Sequence, residues 1–125
     1  MARPLLLTYN LDSQTLDGLR ALCQAQGIAL RAVAPWECGQ PIGALAGIPV
    51  KGAPSPADPG FREPMLVMCH MLSPQLDAFL EGMRRAGLPR IALKAILTPS
   101  NVTWSSRQLR DALAQEHAAM QRKHR

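Results

Sequence analysis

Short apolar segments alternate with longer amphipathic ones along this chain. Nearly continuous apolar runs stand at Leu5–Tyr9 and at Met65–Cys69. Each precedes a stretch whose apolar residues recur every three or four positions, which is typical of a helix with one buried face. A second apolar segment follows each stretch, at 28–34 and 91–97, and a single basic residue interrupts each one. The pattern therefore predicts two β-α-β units, with Arg31 and Lys94 in their second strands.

The two predicted units are similar in sequence. Residues 4–34 align without gaps to residues 64–94, and eleven of the 31 aligned pairs are apolar in both copies. We interpret this as an internal duplication that gives two repeats, 4–34 and 64–97, within one domain of residues 1–125. The identical pairs are Pro4/Pro64, Leu6/Leu66, Ser13/Ser73, Leu16/Leu76, Asp17/Asp77, Gly27/Gly87 and Ala32/Ala92.

Small residues predict where the helices begin and end. Ser13 and Ser73 stand where an N-cap hydroxyl can accept a backbone N–H bond, and Gly27 and Gly87 fit the left-handed position after a helix. Between the repeats, residues 47–63 are rich in proline and glycine, which predicts an exposed connector. A last helix is predicted at 105–121, followed by a basic tail, residues 122–125, that we expect to be dispensable for folding.

Two closures of the sheet are compatible with tandem β-α-β units. We favour a ferredoxin-like α+β fold, with an antiparallel sheet in the order 4-1-3-2 and both helices on one face. The alternative is a small parallel α/β sheet in which the connector crosses over. In the favoured fold Cys38 and Cys69 are expected near opposite edges of the sheet. The third strand is apolar on both faces, so the last helix, the connector or a second copy must cover its second face, and we expect a homo-oligomer.

Several local strings resemble one protein family. The most specific is Leu93–Asn101, which is supported by 40–47, Met65–Val67, Trp104 and Glu116-His117. Across nearly its whole length the chain resembles the bacterial proteins grouped as domain of unknown function 3783. The resemblance implies a bacterial, cytoplasmic protein and brings no established activity, ligand or cofactor. Histidine at position 70 departs from the glycine expected in such sequences.

Charge and composition narrow the classes of partner. The formal net charge is +5, and residues 64–125 contain nine basic and four acidic side chains. A basic surface attracts phosphate-rich partners, but aromatic residues make up 4% of the chain, so nucleic-acid binding by base stacking is not expected. No apolar run is long enough to span a bilayer and no secretory signal is seen, so we expect a cytoplasmic protein without membrane contact.

Cysteine chemistry receives little support from the pattern. The three cysteines lack C-x-x-C spacing. Cys69-His70 could form a thiol and base pair, or ligate a metal together with Cys38, but adjacent residues of a regular strand point to opposite faces. We therefore expect a buried structural cysteine beside an edge histidine. No catalytic residue, metal site or cofactor is predicted, and the chain is not expected to be an enzyme.

The turn after the fourth strand is the predicted ligand site. Lys94 interrupts an apolar strand, Thr98 and Asn101 supply polar groups, and Trp104 supplies an apolar wall. These four residues suit a small anionic metabolite bound without catalysis. The favoured function is a small-molecule-binding or regulatory module. An oligomeric protein-interaction adaptor is the alternative, and a thiol-dependent enzyme is the third hypothesis.

Overall fold

A four-stranded mixed sheet forms the centre of the protein, and helices cover both of its faces. The computed structural model describes residues 3–48, 50 and 59–123. In chain order the elements are β1 (Leu5–Tyr9), α1 (Ser13–Gln26), β2 (Ala29–Ala32), a single 3₁₀ turn (Pro35–Glu37), α2 (Ile42–Leu45), β3 (Met65–Cys69), α3 (Ser73–Arg85), β4 (Leu93–Ile96) and α4 (Ser106–Lys123).

The strands lie in the order β2-β1-β3-β4. β2 runs parallel to β1 and β4 runs parallel to β3, whereas β1 and β3 are antiparallel. The predicted α+β class with a C-terminal helix is therefore confirmed, but the ferredoxin-like order 4-1-3-2 is wrong, and so is the fully parallel alternative. Only Gly27 and Ile28 separate α1 from β2. In both units the helix crosses over to the strand position next to its own first strand, whereas the ferredoxin-like order requires β2 to pass beyond β3.

The two central strands meet around a pair of residues that lie sixty positions apart. Leu7 is opposite Val67, and Leu6 is opposite Met68. Because position 7 corresponds to position 67 in the alignment of the two halves, an approximate two-fold axis passes through this pair. The β1–β3 seam is the antiparallel contact that joins the two β-α-β units.

Alternate residues of the strands enter two separate cores. One core lies between the sheet and the helices α1 and α3, and it contains Leu6, Leu66, Met68 and Phe79. The other core lies on the opposite face of the sheet, which α2 and α4 cover. Its buried members are Leu7, Tyr9, Val33, Cys38, Ile42, Leu45, Met65, Val67, Cys69, Leu93 and Leu109.

Both faces of β3 are buried by the chain itself. All five residues of the strand are buried. On the second face they share a core with α2, with Leu109 of α4 and with Phe61 of the connector, so the last helix and the connector both contribute to the cover, as expected. A second copy is therefore not needed to cover this strand. The argument that predicted self-association loses its basis.

The helix ends follow the sequence signals in part. The side chain of Asp12, rather than that of Ser13, caps α1: its Oδ1 accepts the Thr15 N–H at 2.7 Å. At α3 the N-cap position is Leu72, and Ser73 is already helical. Gly27 ends α1 in the left-handed region with φ +72°, as predicted. At α4, Ser105 and Gln108 cap each other reciprocally, with Gln108 N–H to Ser105 Oγ at 3.1 Å and Ser105 N–H to Gln108 Oε1 at 2.9 Å.

The two halves differ in the loop that follows the helix. Residues 86–92 separate α3 from β4, a longer link than the two residues of the first half. Ala29 pairs with Leu5 and Leu93 pairs with Met65, so the second strands correspond with a shift of 64 positions rather than 60. Ala92 is therefore not the structural counterpart of Ala32, and the observed strands are shorter than the predicted 28–34 and 91–97.

Parts of two predicted segments lie outside the described residues. These are position 49 and residues 51–58 of the predicted connector, and the end of the basic tail at 124–125. Within the ranges that are described, no helix is long and apolar enough to cross a membrane.

Candidate functional site

A cavity of about 390 Å³ lies between the C-terminal part of α3, the 86–92 loop and β4. Its walls are mostly apolar, and its charged lining residues are all basic. The apolar residues are Leu80, Met83, Leu88, Pro89 and Ile91, and the basic residues are Arg84, Arg90 and Lys94. We call this the Lys94 cavity.

Lys94 is the partly buried cation of this cavity. Its Nζ donates a hydrogen bond to the Ile91 carbonyl at 2.7 Å. Burial lowers the pKa of Lys94 below its usual value of 10.5, and the positive charge of Arg90 lowers it further. Within the described part of the chain no acidic side chain forms an ion pair with this ammonium. The site therefore favours a ligand that brings a negative charge.

The two arginines of the cavity differ in their partners. Arg84 lies on α3 and pairs with Glu81, which also pairs with Arg85. Arg90 lies in the loop, is exposed, and forms no ion pair with any residue that the structure describes. Arg84 shares the Glu81 carboxylate with Arg85, whereas Arg90 and Lys94 form no ion pair with any described acidic residue.

A second cavity of about 420 Å³ lies on the opposite side of the same loop, against α4. Ala114 and Ala118 of α4 and Leu93 of β4 form part of its apolar lining. Its polar lining residues are Glu63, Arg90, His117 and Gln121. Glu63 pairs with Arg110, and His117 Nε2 lies 3.1 Å from Gln121 Nε2. Arg90 and Ile91 line both cavities, so the 86–92 loop forms the wall between them.

The predicted turn after β4 is held by its own polar groups. Asn101 is 8% exposed, and its Oδ1 accepts the Thr98 N–H at 2.9 Å. Its side-chain amide donates to the Ile96 carbonyl at 3.0 Å, and its backbone N–H donates to Thr98 Oγ1 at 3.2 Å. Asn101 therefore stabilises the turn through both ends of its side chain.

The structure separates Lys94 from the rest of the predicted site. Lys94 pairs with Leu66 and so shares the sheet face of α1 and α3. Trp104 is 37% exposed, and its carbonyl accepts the Ile42 N–H at 2.8 Å, which places the turn beside α2. Neither Trp104 nor Thr98 nor Asn101 is among the described lining residues of the Lys94 cavity.

The cysteines considered as candidates for thiol chemistry are buried. Burial raises the pKa of Cys69 to about 12, which leaves the thiol protonated near neutral pH. His70 follows the end of β3 with φ +61°. Cys38 and Cys69 both belong to the core that α2 and α4 cover. The strand that precedes Cys38, β2, and the strand that ends at Cys69, β3, finish at opposite ends of β1, opposite Thr8 and Leu5 respectively. Within the described ranges no disulfide forms, and no group of His, Cys, Asp or Glu side chains is arranged to hold a metal ion.

Sequence reasoning found Lys94 but missed Arg90 and the cavity itself. The missing signal is the length of the loop. An alignment that shifts by four residues after Gly87 places Lys94 opposite Leu30 and leaves Pro89-Arg90 as part of an insertion. The gapless alignment of 4–34 to 64–94 hid that insertion.

The comparisons with known proteins identify one family. A family model described as "Domain of unknown function (DUF3783)" matches residues 64–120, which contain β3, α3, β4 and most of α4. Neither the curated proteins nor the solved structures give a match to the chain. The match confirms the resemblance seen in the sequence, although it covers the second half and not nearly the whole chain. The matched segment, residues 64–120, contains every lining residue of the Lys94 cavity and is similar to the family described as domain of unknown function DUF3783.

Proposed function

We propose that this protein is a non-catalytic module that binds a small anionic molecule with an apolar body, and that the Lys94 cavity is its binding site. One observation carries the proposal: a partly buried ammonium stands in an apolar cavity without an acidic partner among the described residues. An anion at this position would offset the cost of burying the charge.

The shape and lining of the cavity support the same ligand class. A volume of about 390 Å³ is within the range of small-molecule pockets. Leu80, Met83 and Leu88 offer an apolar surface, and Arg90 offers a second positive charge at the rim. A guanidinium binds a carboxylate through paired N–H donors, which would orient such a ligand.

Of the four residues predicted from the sequence, the proposal depends on Lys94. The polar atoms of the Asn101 side chain are occupied within the turn, and Trp104 lies beside α2. A ligand contact at Thr98, Asn101 or Trp104 would require a ligand that extends beyond the cavity. Substituting Trp104 by Ala tests that extension without touching the cavity.

The experiment is thermal unfolding with a panel of small carboxylates and phosphates, each beside an uncharged analogue of the same shape. We expect stabilisation by at least one anion and none by its uncharged analogue. Lys94→Met and Arg90→Gln should each abolish or strongly reduce that stabilisation. If no anion stabilises the wild type, or if a hit acts equally on both variants, the proposal is wrong.

Arg20→Gln is the matched control. Arg20 is an exposed residue of α1, does not line the cavity, and its substitution removes the same charge. A stabilisation that persists in Arg20→Gln but disappears in Arg90→Gln shows that the position matters and not the net charge alone.

The other two functions predicted from the sequence receive less support. The adaptor hypothesis depended on an uncovered face of β3, which α2 and α4 cover. The thiol-enzyme hypothesis requires an accessible thiolate, whereas Cys23 and Cys69 are buried and burial raises the pKa of both thiols.

A further inference from the structure

We propose that Lys94 holds its ligand through a reversible imine, and that the ligand is a small 2-oxo acid with an apolar side group. This inference rests on the proposed function and names the chemistry of its ligand. The carbonyl carbon would meet Nζ of Lys94, the carboxylate would meet Arg90, and the apolar group would lie against Leu80, Met83 and Leu88.

The surroundings of Lys94 suit a nucleophilic amine. Its Nζ is held by the Ile91 carbonyl at 2.7 Å rather than by a carboxylate, so no ion pair with a described residue fixes it as an ammonium. The apolar lining and the nearby guanidinium disfavour the charged form, which increases the neutral fraction at a given pH. Lysines that form imines are commonly activated by desolvation or by a neighbouring cation.

The two functional groups of a 2-oxo acid match Arg90 and Lys94, the two cavity cations that form no ion pair with a described acidic residue. In a 2-oxo acid the carboxylate carbon is bonded directly to the carbonyl carbon. A carboxylate held by Arg90 would therefore keep the reactive carbonyl within the same cavity as Lys94. Arg90 and Lys94 line the same cavity, and the charge of Arg90 is close enough to lower the pKa of Lys94. An apolar side group of four or five carbons, on the order of a leucine side chain, fits the remaining lining.

The condensation balances without a redox partner. The Lys94 ammonium gives one proton to water, and the nitrogen lone pair attacks the carbonyl carbon, so a C–N bond forms and the carbonyl oxygen takes up a proton. The nitrogen then loses its second proton, the hydroxyl leaves as water after protonation, and a C=N bond results. Water returns along the same path to release the oxo acid. The Ile91 carbonyl accepts an N–H bond from the amine and so orients the lone pair.

The test is reductive trapping of the folded protein with 4-methyl-2-oxopentanoate and cyanoborohydride. Hydride adds to the imine carbon and leaves a stable secondary amine that peptide mapping by mass spectrometry locates. The chain contains three lysines, Lys51, Lys94 and Lys123, and the other two serve as internal references. We expect several-fold faster trapping at Lys94 than at either reference in the folded protein, and equal rates in denaturant.

Two variants and one matched ligand complete the experiment. Lys94→Arg keeps the charge and cannot form an imine, so the fast adduct should disappear. Arg90→Gln should slow trapping at Lys94 and leave the reference lysines unchanged. Equal trapping of the three lysines in the folded protein, or a fast adduct that survives in Lys94→Arg, overturns the imine.

4-Methyl-2-hydroxypentanoate separates this inference from the proposed function. It has the carboxylate and the apolar group but no carbonyl. If it stabilises the wild type and the oxo acid is not trapped at Lys94, the imine is wrong and anion binding stands. If neither compound stabilises the protein and no selective adduct forms, both the imine and binding of this ligand class are wrong. A selective adduct at Lys94 supports the imine.

Discussion

Leu30 and Lys94 occupy the same position in the two halves of the sheet. Leu30 lies opposite Leu6 across β1 and β2, and Lys94 lies opposite Leu66 across β3 and β4. Leu30 packs against the core under α1 and α3, whereas Lys94 lines a cavity on the same face. The second half therefore has a cation and an open space where the first half has an aliphatic contact.

Lys94→Leu should raise the free energy of unfolding near neutral pH. The substitution copies Leu30, removes a partly buried charge and adds apolar area against Met83 and Leu88. Because Lys94 is partly exposed, we expect a gain of roughly 0.5–1 kcal/mol. Urea unfolding of the two proteins at pH 7 measures it. A loss of stability would mean that the Ile91 hydrogen bond outweighs the buried charge.

The advantage of Lys94→Leu should shrink as the pH rises. The pKa of Lys94 is lower in the folded state than its usual 10.5, so between these two values the unfolded chain binds the extra proton. Wild-type stability therefore gains relative to the variant as the pH rises through the folded pKa toward 10.5. Urea unfolding at several alkaline pH values tests the sign. A difference that does not change with pH contradicts the lowered pKa.

His70→Gly should stabilise the protein by about 1 kcal/mol. His70 adopts φ +61°, which costs little for glycine but strains a residue with a Cβ atom, and its Nε2 is buried without a hydrogen-bond partner among the described atoms. Greater backbone freedom of glycine in the unfolded chain reduces the gain. Thermal and urea unfolding measure it, and an unchanged or lower stability would show that the histidine makes a compensating contact.

Asn10 is the natural comparison for His70. It stands sixty positions earlier with φ +60°, but its side-chain amide donates to the carbonyls of Phe61 at 2.6 Å and Glu63 at 3.0 Å. Asn10→Gly should therefore destabilise by roughly 1 kcal/mol, because two hydrogen bonds to the connector are lost. Equal effects at positions 10 and 70 would contradict this distinction.

Tyr9 and Ser106 should show a coupling energy in a double-mutant cycle. Tyr9 Oη and Ser106 Oγ lie 2.7 Å apart and both residues are buried, so this hydrogen bond fixes the start of α4 against the sheet. Ser106→Ala leaves the tyrosine hydroxyl buried and unpaired, at a cost of about 1–3 kcal/mol. In the Ser106→Ala variant, Tyr9→Phe should lower the free energy of unfolding much less than it does in the wild type. Additive effects in urea unfolding would show that the hydroxyls find other partners.

The cysteines should be unreactive until the protein unfolds. Burial raises the pKa of Cys23 to about 11 and that of Cys69 to about 12, and Cys38 is 3% exposed. Few thiolates exist near pH 8, and the sulfur atoms are shielded. Titration with an aromatic disulfide reagent should therefore follow unfolding. A thiol that reacts rapidly in the folded protein would restore the thiol-enzyme hypothesis.

The hydrophobic pattern predicted the helices and strands well because their formation depends mainly on residues that are close in sequence. The strands β1 and β3, the helices α1 and α3, and the last helix all lie within a few residues of their predicted bounds. The basic interruptions at Arg31 and Lys94 lie in the outer strands, which tolerate polar residues, and the fully apolar β3 is central. The order of strands was wrong because periodicity does not report which edge an outer strand joins.

The candidate site was harder to predict because it depends on a register shift. Lys94 was recognisable as a polar residue within an apolar strand. Its partner Arg90 belongs to a loop that becomes visible as an insertion only after the pairing of Leu93 with Met65 is known. Asn101 combined donor and acceptor groups in the sequence, but those groups are occupied by backbone partners of its own turn.

The seam between β1 and β3 has a consequence for any fragment limited to the matched family segment. Residues 64–120 contain β3, α3 and β4 but lack β1, so the inner edge of β3 would lose all of its backbone pairing. A strand that is buried on both faces would then become an unpaired edge strand. The approximate two-fold axis suggests how such a fragment completes its sheet: two copies paired antiparallel, with Val67 of one opposite Val67 of the other.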